Sequence, residues 1–273
     1  MSVSADFNVD ALVSVLDELA AFALAESWDN VGLMAGDPKQ RVDSIAVALD
    51  PTEEVLDEAV ANGCNVIVTH HPLIFKPLKS LRTDQPVGRL LAKAMAAGVA
   101  VIACHTNLDL VGGGVNDVLA ARFGLQDTRS LDTAGDGQMG FGRIGMLSAP
   151  LSGPKMLAQL AQILDVDALA YAGPLPESVD TLAVCGGSGS ELAEAAYRLG
   201  AQMYVTGEVK HSTARWAEAA GLCVVDGGHF ATENPVIPEF AALLQRTLAD
   251  RNIKVDVLTA KAQRNPFSHY IRG

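Results

Sequence analysis

Short apolar runs alternate with longer stretches of helical spacing along most of this chain. Val9 to Phe22 puts Leu12, Val15, Leu16 and Leu19 on one face, which predicts a helix. Ser44 to Leu49 reads as a strand, broken by Asp50-Pro51-Thr52. Thr52 is placed to cap a helix whose first turn carries Glu53 and Glu54 and which Gly63 stops. Asn65 to Val68 is the next strand; it runs into Thr69-His70-His71-Pro72, where the proline forbids continuation. The cycle repeats with a helix from Pro86 through Leu90, Leu91 and Met95 to Gly98, then a strand from Val99 to Cys104 and the polar segment His105-Thr106-Asn107-Leu108-Asp109. Both polar motifs therefore fall at the same end of consecutive parallel strands, where α/β proteins gather their ligands.

The middle of the chain is plainer. Asp127 to Gly137 is polar and turn-rich and reads as a connection between lobes; Arg143 to Leu147 suggests a strand, Pro154 to Leu164 an amphipathic helix and Pro174 to Glu177 a loop. Alternation then resumes. The strand Leu182 to Cys185 leads into Gly186-Gly187-Ser188-Gly189 and a helix from Glu191 to Leu199. The strand Met203 to Val205 ends in Thr206-Gly207-Glu208-Val209-Lys210-His211, ahead of a helix over Ala214 to Ala220. The strand Leu222 to Asp226 ends in Gly227-Gly228-His229-Phe230-Ala231-Thr232-Glu233. Residues 59–71 can be laid on 196–208, and 92–105 on 215–228, with the glycines in step. This weak repeat supports an α/β fold of two similarly built lobes.

Composition narrows the function classes. With 49% hydrophobic residues among 273, the chain can bury a sizeable core. A formal charge of −12 disfavours generic binding to nucleic acid or to an anionic membrane, and bound divalent cations would offset part of it. No apolar run approaches the ~20 residues of a membrane span. The start, MSVSADFNVD, has neither the basic nor the apolar region of a signal peptide. Cys64, Cys104, Cys185 and Cys223 form no C-x-x-C pair and sit in or beside apolar runs, as buried free thiols in a reducing compartment do. A cytoplasmic location is expected.

The chemistry gathers at strand ends. His70, His71, Asp109, His229 and Glu233 form a nitrogen and oxygen donor set that suits Zn²⁺, Mn²⁺, Fe²⁺ or Co²⁺. Five side chains are many for one catalytic ion with an open position, and about right for two ions sharing a carboxylate. Such a site would draw an anion and acidify a water. A lone histidine at a strand end is usually a satisfied polar residue; an adjacent pair before proline is harder to dismiss. His229 and Glu233 are spaced to share a helix face. Glu208, Lys210 and His211 are candidates for positioning or proton transfer. Gly186-Gly187-Ser188-Gly189 reads as a phosphate cradle or a plain turn, since it lacks G-x-G-x-x-G and the P-loop lysine. Gly112-Gly113-Gly114 admits close backbone approach or mere flexibility. Trp28-Asp29-Asn30 reads as a substrate platform or a buried anchor, and His269 as structural.

Taken together, Ser27-Trp28-Asp29-Asn30-Val31-Gly32-Leu33, Thr69-His70-His71-Pro72, His105-Thr106-Asn107-Leu108-Asp109, the glycine-rich turn at 186–189, Thr206 to His211, Gly228 to Glu233 and Asn265-Pro266-Phe267 resemble the NIF-three-like proteins, often labelled GTP cyclohydrolase 1 type 2 homologs. The resemblance implies two α/β lobes with a dinuclear metal site in the cleft between them. It also implies a toroidal homohexamer with the sites facing an internal cavity. The family's ligands fall on His70, His71, Asp109, His229 and Glu233. Lobe 1 is expected over 1–130 plus 236–273 and lobe 2 over 131–235; the stretch from about 130 to 180 is too short for the large inserted domain of some relatives. Ser212 stands where the family often has a polar aromatic residue or histidine, which weakens any role for His211.

Two classes of function follow. In one, a metal-dependent hydrolase acts on a nucleotide or another anionic, phosphorylated small molecule, with two divalent ions (Zn, Fe or Mn) activating water and His105 or Glu208 moving protons. The family label implies attack on the purine ring of GTP, although no guanine-reading motif is visible. In the other, the same ligands serve a metal carrier, buffer or insertase, or a regulatory interaction protein, without turnover. DNA binding through a ring-shaped oligomer is disfavoured by the charge.

Overall fold

The structure is a computed structural model that describes residues 7–132, 139–268 and 270. His269 and the part of the expected connection at 133–138 lie outside the described residues. In chain order the first elements are α1 (Val9–Leu19), β1 (Gly32–Ala35), β2 (Ser44–Ala48), α2 (Glu53–Ala61), β3 (Val66–Thr69), α3 (Pro86–Ala96), β4 (Ala100–Ala103), α4 (Thr106–Leu110) and α5 (Val115–Arg122). There follow β5 (Gln126–Ser130), β6 (Arg143–Leu151), α6 (Gly153–Leu164), β7 (Ala170–Ala172), β8 (Val179–Ser188), α7 (Ala193–Arg198) and β9 (Met203–Gly207). The last are α8 (His211–Ala220), β10 (Cys223–Asp226), α9 (His229–Glu233), α10 (Val236–Asp250) and β11 (Asp256–Thr259).

The chain divides into two compact units, one of Met1–Leu108 with Ile237–Arg264 and the other of Asp109–Val236 with Asn265–Gly273. The first boundary therefore precedes the expected residue 130, and residues 265–268 group with the second unit. The reason is packing. Leu119 and Ala120 of α5 and Phe123 just after it join the core of the second sheet, and β5 pairs with β6. The polar stretch read as a connection is thus partly an edge strand, β5.

In the first unit the strand order is β1-β4-β3-β2-β11, with β1 antiparallel to β4 and the other pairs parallel. β3 is buried along its whole length, as a central parallel strand must be. Ala46, Ile67 and Val101 point into one cluster with Val55, Leu56 and Ala59 of α2 and Leu90, Leu91 and Ala94 of α3. Thr52 caps α2, its hydroxyl accepting the Val55 N–H at 3.2 Å. The expected first helix stops at Leu19, and Phe22–Leu24 forms a 3-10 turn instead.

In the second unit the order is β5-β6-β8-β9-β10-β7, with β8, β9 and β10 parallel and the outer strands antiparallel. Alternate residues of its central strands go to opposite faces. Leu182, Val184, Met203, Val205, Cys223 and Val225 pack with Met156, Leu160 and Leu164 of α6. Ala183, Cys185, Tyr204 and Val224 pack with Ala193 and Ala196 of α7 and Ala217 of α8. The segments matched in the sequence occupy matching places: each is a helix, a glycine and a strand, with Gly63 and Gly200 both at positive φ. No described helix is long and apolar enough to cross a membrane.

All four cysteines are buried free thiols. Burial pushes Cys104 up to about 12 and Cys223 up to about 11. A thiol reagent at pH 8 is expected to leave all four unmodified on the native protein over minutes and to titrate four after denaturation. Fast modification of any cysteine in the native state would contradict this packing.

Candidate functional site

Register builds the first cluster. Ala48, Thr69 and Ala103 lie level across β2, β3 and β4. The pairing continues beyond the strands: the His70 N–H donates to the Ala48 carbonyl at 3.0 Å, His71 N–H to Leu49 at 2.9 Å, and Cys104 N–H to Thr69 at 2.9 Å. Asp50, the His70-His71 pair and Cys104-His105 therefore emerge side by side at the carboxyl ends of three parallel strands.

Each of these imidazoles has its Nδ1 against an acceptor. His70, which is buried, has Nδ1 3.0 Å from the Cys104 carbonyl oxygen. His71 Nδ1 is 2.7 Å from Asp50 Oδ1, and His105 Nδ1 is 2.8 Å from Asp29 Oδ1. Carbonyl and carboxylate oxygens only accept, so the proton is assigned to Nδ1 and the lone pair to Nε2 in all three rings. Ring centroids are 5.0 Å apart for His70 and His71, 5.1 Å for His70 and His105, and 5.5 Å for His71 and His105. One nitrogen from each ring lies within 4.8 Å of the other two, close enough to hold a metal ion.

Asp29 is the support beneath this cluster. Its side chain is fully buried, and besides His105 it accepts the Thr106 N–H at 3.0 Å and the Thr106 hydroxyl at 2.6 Å. It thereby serves as a cap, distant in sequence, at the start of α4. Burial alone would push the Asp29 carboxyl up. Hydrogen bonds from His105 and Thr106 outweigh it and hold the group well below the usual carboxylate range. Asn30 Nδ2 donates to the Ile74 carbonyl. The anchoring in Trp28-Asp29-Asn30 thus belongs to Asp29 and Asn30, while Trp28 is 58% exposed.

The second unit builds its own cluster by the same register. Cys185, Thr206 and Asp226 lie level across β8, β9 and β10. Beyond them come glycines, and the space they leave is filled by α9. His229 and Glu233 sit one turn apart on that helix, with His229 Nε2 2.9 Å from Glu233 Oε2. His229 Nδ1 is 3.1 Å from Glu208 Oε1, so this fourth imidazole lies between two carboxylates. A Cβ on Gly187 would stand 1.9 Å from Glu233 Oε1, and one on Gly207 2.8 Å from the His229 backbone. These two glycines are clearances for the ligand helix.

Asp109 and Glu233 are both buried, with carboxylate oxygens within 4.8 Å of each other. Asn116 fixes the first of them, donating from Nδ2 to the Asp109 carbonyl at 3.0 Å while its Oδ1 accepts the Gly186 N–H at 3.1 Å. Two buried carboxylates this close favour a cation. Their field shows at Cys185, whose thiol is pushed up by burial and further by the charges of Asp109 and Glu233. The donors present, imidazole and carboxylate, fit a divalent transition metal.

Other expectations fare differently. The N–H groups of Gly186, Gly187 and Gly189 are taken by Asn116, Thr232 and Thr206, so the glycine-rich turn is not a phosphate cradle. Gly113 donates to Asp117 at 2.6 Å in the turn that opens α5. Lys210 pairs with Glu191, and His211 is exposed at the start of α8; neither joins the cluster. Asp50, Asn116, Thr232 and Asp226 were not singled out from the sequence. The only local sign was an acid closing an apolar run, at Asp50 and at Asp226.

The family model of Duf34/NIF3 (NGG1p interacting factor 3) matches residues 7–266. The chain belongs to the Duf34/NIF3 family. It is 30% identical over 262 residues to the GTP cyclohydrolase 1 type 2 homolog of Clostridium acetobutylicum, covering 95% of this chain and 98% of that one. It is 32% identical over 270 residues to the protein of the same description from Streptomyces coelicolor, covering 97% and 95%. The fold matches the crystal structure of a Bacillus cereus protein related to NIF3 with a TM-score of 0.92 and 25% identity, over 98% of this chain and all of that one. The two-lobe α/β architecture is thus the NIF3 fold.

Asp29→Asn should cost about 2 kcal/mol of unfolding free energy at pH 7, the worth of hydrogen bonds to a buried charge. Because the folded carboxyl titrates below its unfolded value, the gap between wild type and variant should be constant above the ordinary carboxylate range. It should shrink only as pH falls below about 4. Denaturant unfolding at several pH values checks this, and a gap that instead closes between pH 7 and 5 would overturn the assignment.

Proposed function

We propose that this protein holds two divalent metal ions through His70, His71, Asp109, His229 and Glu233 and hydrolyses a nucleotide or another phosphorylated small molecule. The observation that carries the metal reading is the shared state of the imidazoles. His70 and His71 each have a carbonyl or carboxylate oxygen at Nδ1, which orients the ring and leaves the Nε2 lone pair free for a metal, and His229 stands beside Glu208 and Glu233. Metal-ligating histidines are held in this way, with the second nitrogen hydrogen-bonded to an outer acceptor. Zn, Fe and Mn all suit these donors.

When bound, the ions would supply positive charge to hold an anion and to acidify a water. The protein's own part in proton transfer falls to His105. Its Nδ1–H is held by the buried Asp29, which stabilises the imidazolium formed when Nε2 takes a proton. A carrier or insertase has no use for such a pair, and this favours hydrolysis over carriage. Glu208, with Oε1 3.1 Å from His229 Nδ1, is a positioning residue in this scheme. The relatives' description as GTP cyclohydrolase 1 type 2 homologs makes guanine nucleotides the first substrates to try. The reading also takes the protein to be cytoplasmic, in keeping with its free thiols, and a toroidal homohexamer, as the family resemblance implies.

Elemental analysis of protein purified without chelator should find about two ions per chain, and His70→Ala/His229→Ala should lose them. Gly187→Ala, which forces the Glu233 carboxylate aside, should weaken metal binding roughly tenfold or more while the fold persists. His105→Ala should keep the metal and lose at least about a hundredfold in hydrolysis. A wild type that takes up no Zn²⁺, Mn²⁺ or Fe²⁺ on reconstitution would end the metal reading. Full metal without turnover of any nucleotide would return the carrier to first place.

A further inference from the structure

Beside the histidine cluster stand two large aromatic rings in contact with water. Trp28 is 58% exposed and Phe75 is 44% exposed. Both meet His105 edge to face: the Trp28 and His105 centroids are 6.4 Å apart at 80°, and those of Phe75 and His105 are 6.1 Å apart at 80°. Trp28 and Phe75 are 5.9 Å apart at 71°. The three rings are therefore nearly perpendicular to one another, like the faces of a box corner, and one of them is the imidazole assigned to proton transfer.

Such a corner selects for shape. A flat ring laid on the indole would be almost perpendicular to both Phe75 and His105. It would gain one stacked and two edge-to-face contacts, the arrangements aromatic pairs prefer. An aliphatic group would gain area alone. The corner is also held in place before any ligand arrives. The Asp29 N–H donates to the Glu26 carbonyl at 2.9 Å, Asp29 is buried under His105, and Asn30 holds the Ile74 carbonyl next to Phe75. Exposed aromatic surface on fixed backbone costs little ordering entropy when it is covered.

We propose that Trp28 and Phe75 form the ring-binding part of the substrate site, with the indole stacking on a planar heteroaromatic ring the size of a purine base. The proposal rests on the hydrolase reading only for the place of the substrate's phosphate; the ring contact needs no metal. Lys76, next after Phe75, and Lys79 have no ion-pair partner among the described residues, which suits an anionic tail on the same ligand.

The probe is guanosine, which has the ring and no phosphate, with ribose as control. Trp216→Phe leaves Trp28 as the sole tryptophan. Guanosine should change its emission saturably, ribose should not, and the response should survive chelator treatment. In equilibrium dialysis, Trp28→Leu should weaken guanosine binding roughly tenfold, the loss of one base–aromatic stack, and Phe75→Leu should weaken it by a smaller factor, both with unchanged metal content. No saturable response, equal binding by Trp28→Leu, or a lower sedimentation mass for Trp28→Leu with guanosine binding intact would overturn the proposal, the last by showing that the rings cover a second copy. A wild type that takes up no Zn²⁺, Mn²⁺ or Fe²⁺ on reconstitution yet keeps the guanosine response would strike the hydrolase reading alone.

Discussion

The parallel register of β2, β3 and β4 is the constraint on which the histidine cluster depends. Because Ala48, Thr69 and Ala103 are level, the first residues past each strand are level too. That alone puts Asp50 beside His71 and the Cys104 carbonyl beside His70. Shifting β3 by one residue would exchange the faces of the whole apolar run. It would also part both histidines from their Nδ1 acceptors. The core and the site are therefore specified by the same hydrogen bonds, and burial of Val66, Ile67 and Val68 indirectly fixes the tautomers. The second unit applies the rule with different side chains. Past Cys185, Thr206 and Asp226 it carries glycines, so that ligands arrive on a helix set into the cleared space.

What could be read in the sequence was what is local. The β-branched run before His70-His71, the cap at Thr52 and the spacing of His229 and Glu233 each rest on neighbours within a few residues, and the structure has them as expected. Strands at the sheet edges were missed. β1, β7 and β11 are short and only partly buried, and β5, with sequence QDTRS, has no apolar alternation to betray it. Their existence is decided by the edges they cover. The glycine-rich turn stayed open between a cradle and a plain turn for a related reason, since whether its N–H groups face a ligand depends on Asn116, Thr206 and Thr232 from other segments. Asp29 was noticed for its neighbour Trp28, and nothing local could show that its carboxylate lies under a histidine 76 residues on.

Backbone strain marks where the second cluster was shaped for its task. Glu208 has φ +60°, a left-handed conformation that a non-glycine residue adopts at a cost of order 1 kcal/mol or more. It is held there by Asp226, whose carboxylate accepts the N–H groups of Glu208, Val209 and Gly228. A glycine at 208 would relieve the strain and remove the carboxylate beside His229 Nδ1. At 187, by contrast, φ is +63° and the residue is glycine, because any side chain would meet the Glu233 carboxylate. The two positions share a backbone conformation and differ in what the site needs from them, an oxygen at one and empty space at the other. Both choices serve His229 and Glu233, so the geometry of that pair, rather than the stability of the strand ends, accounts for the residues found there.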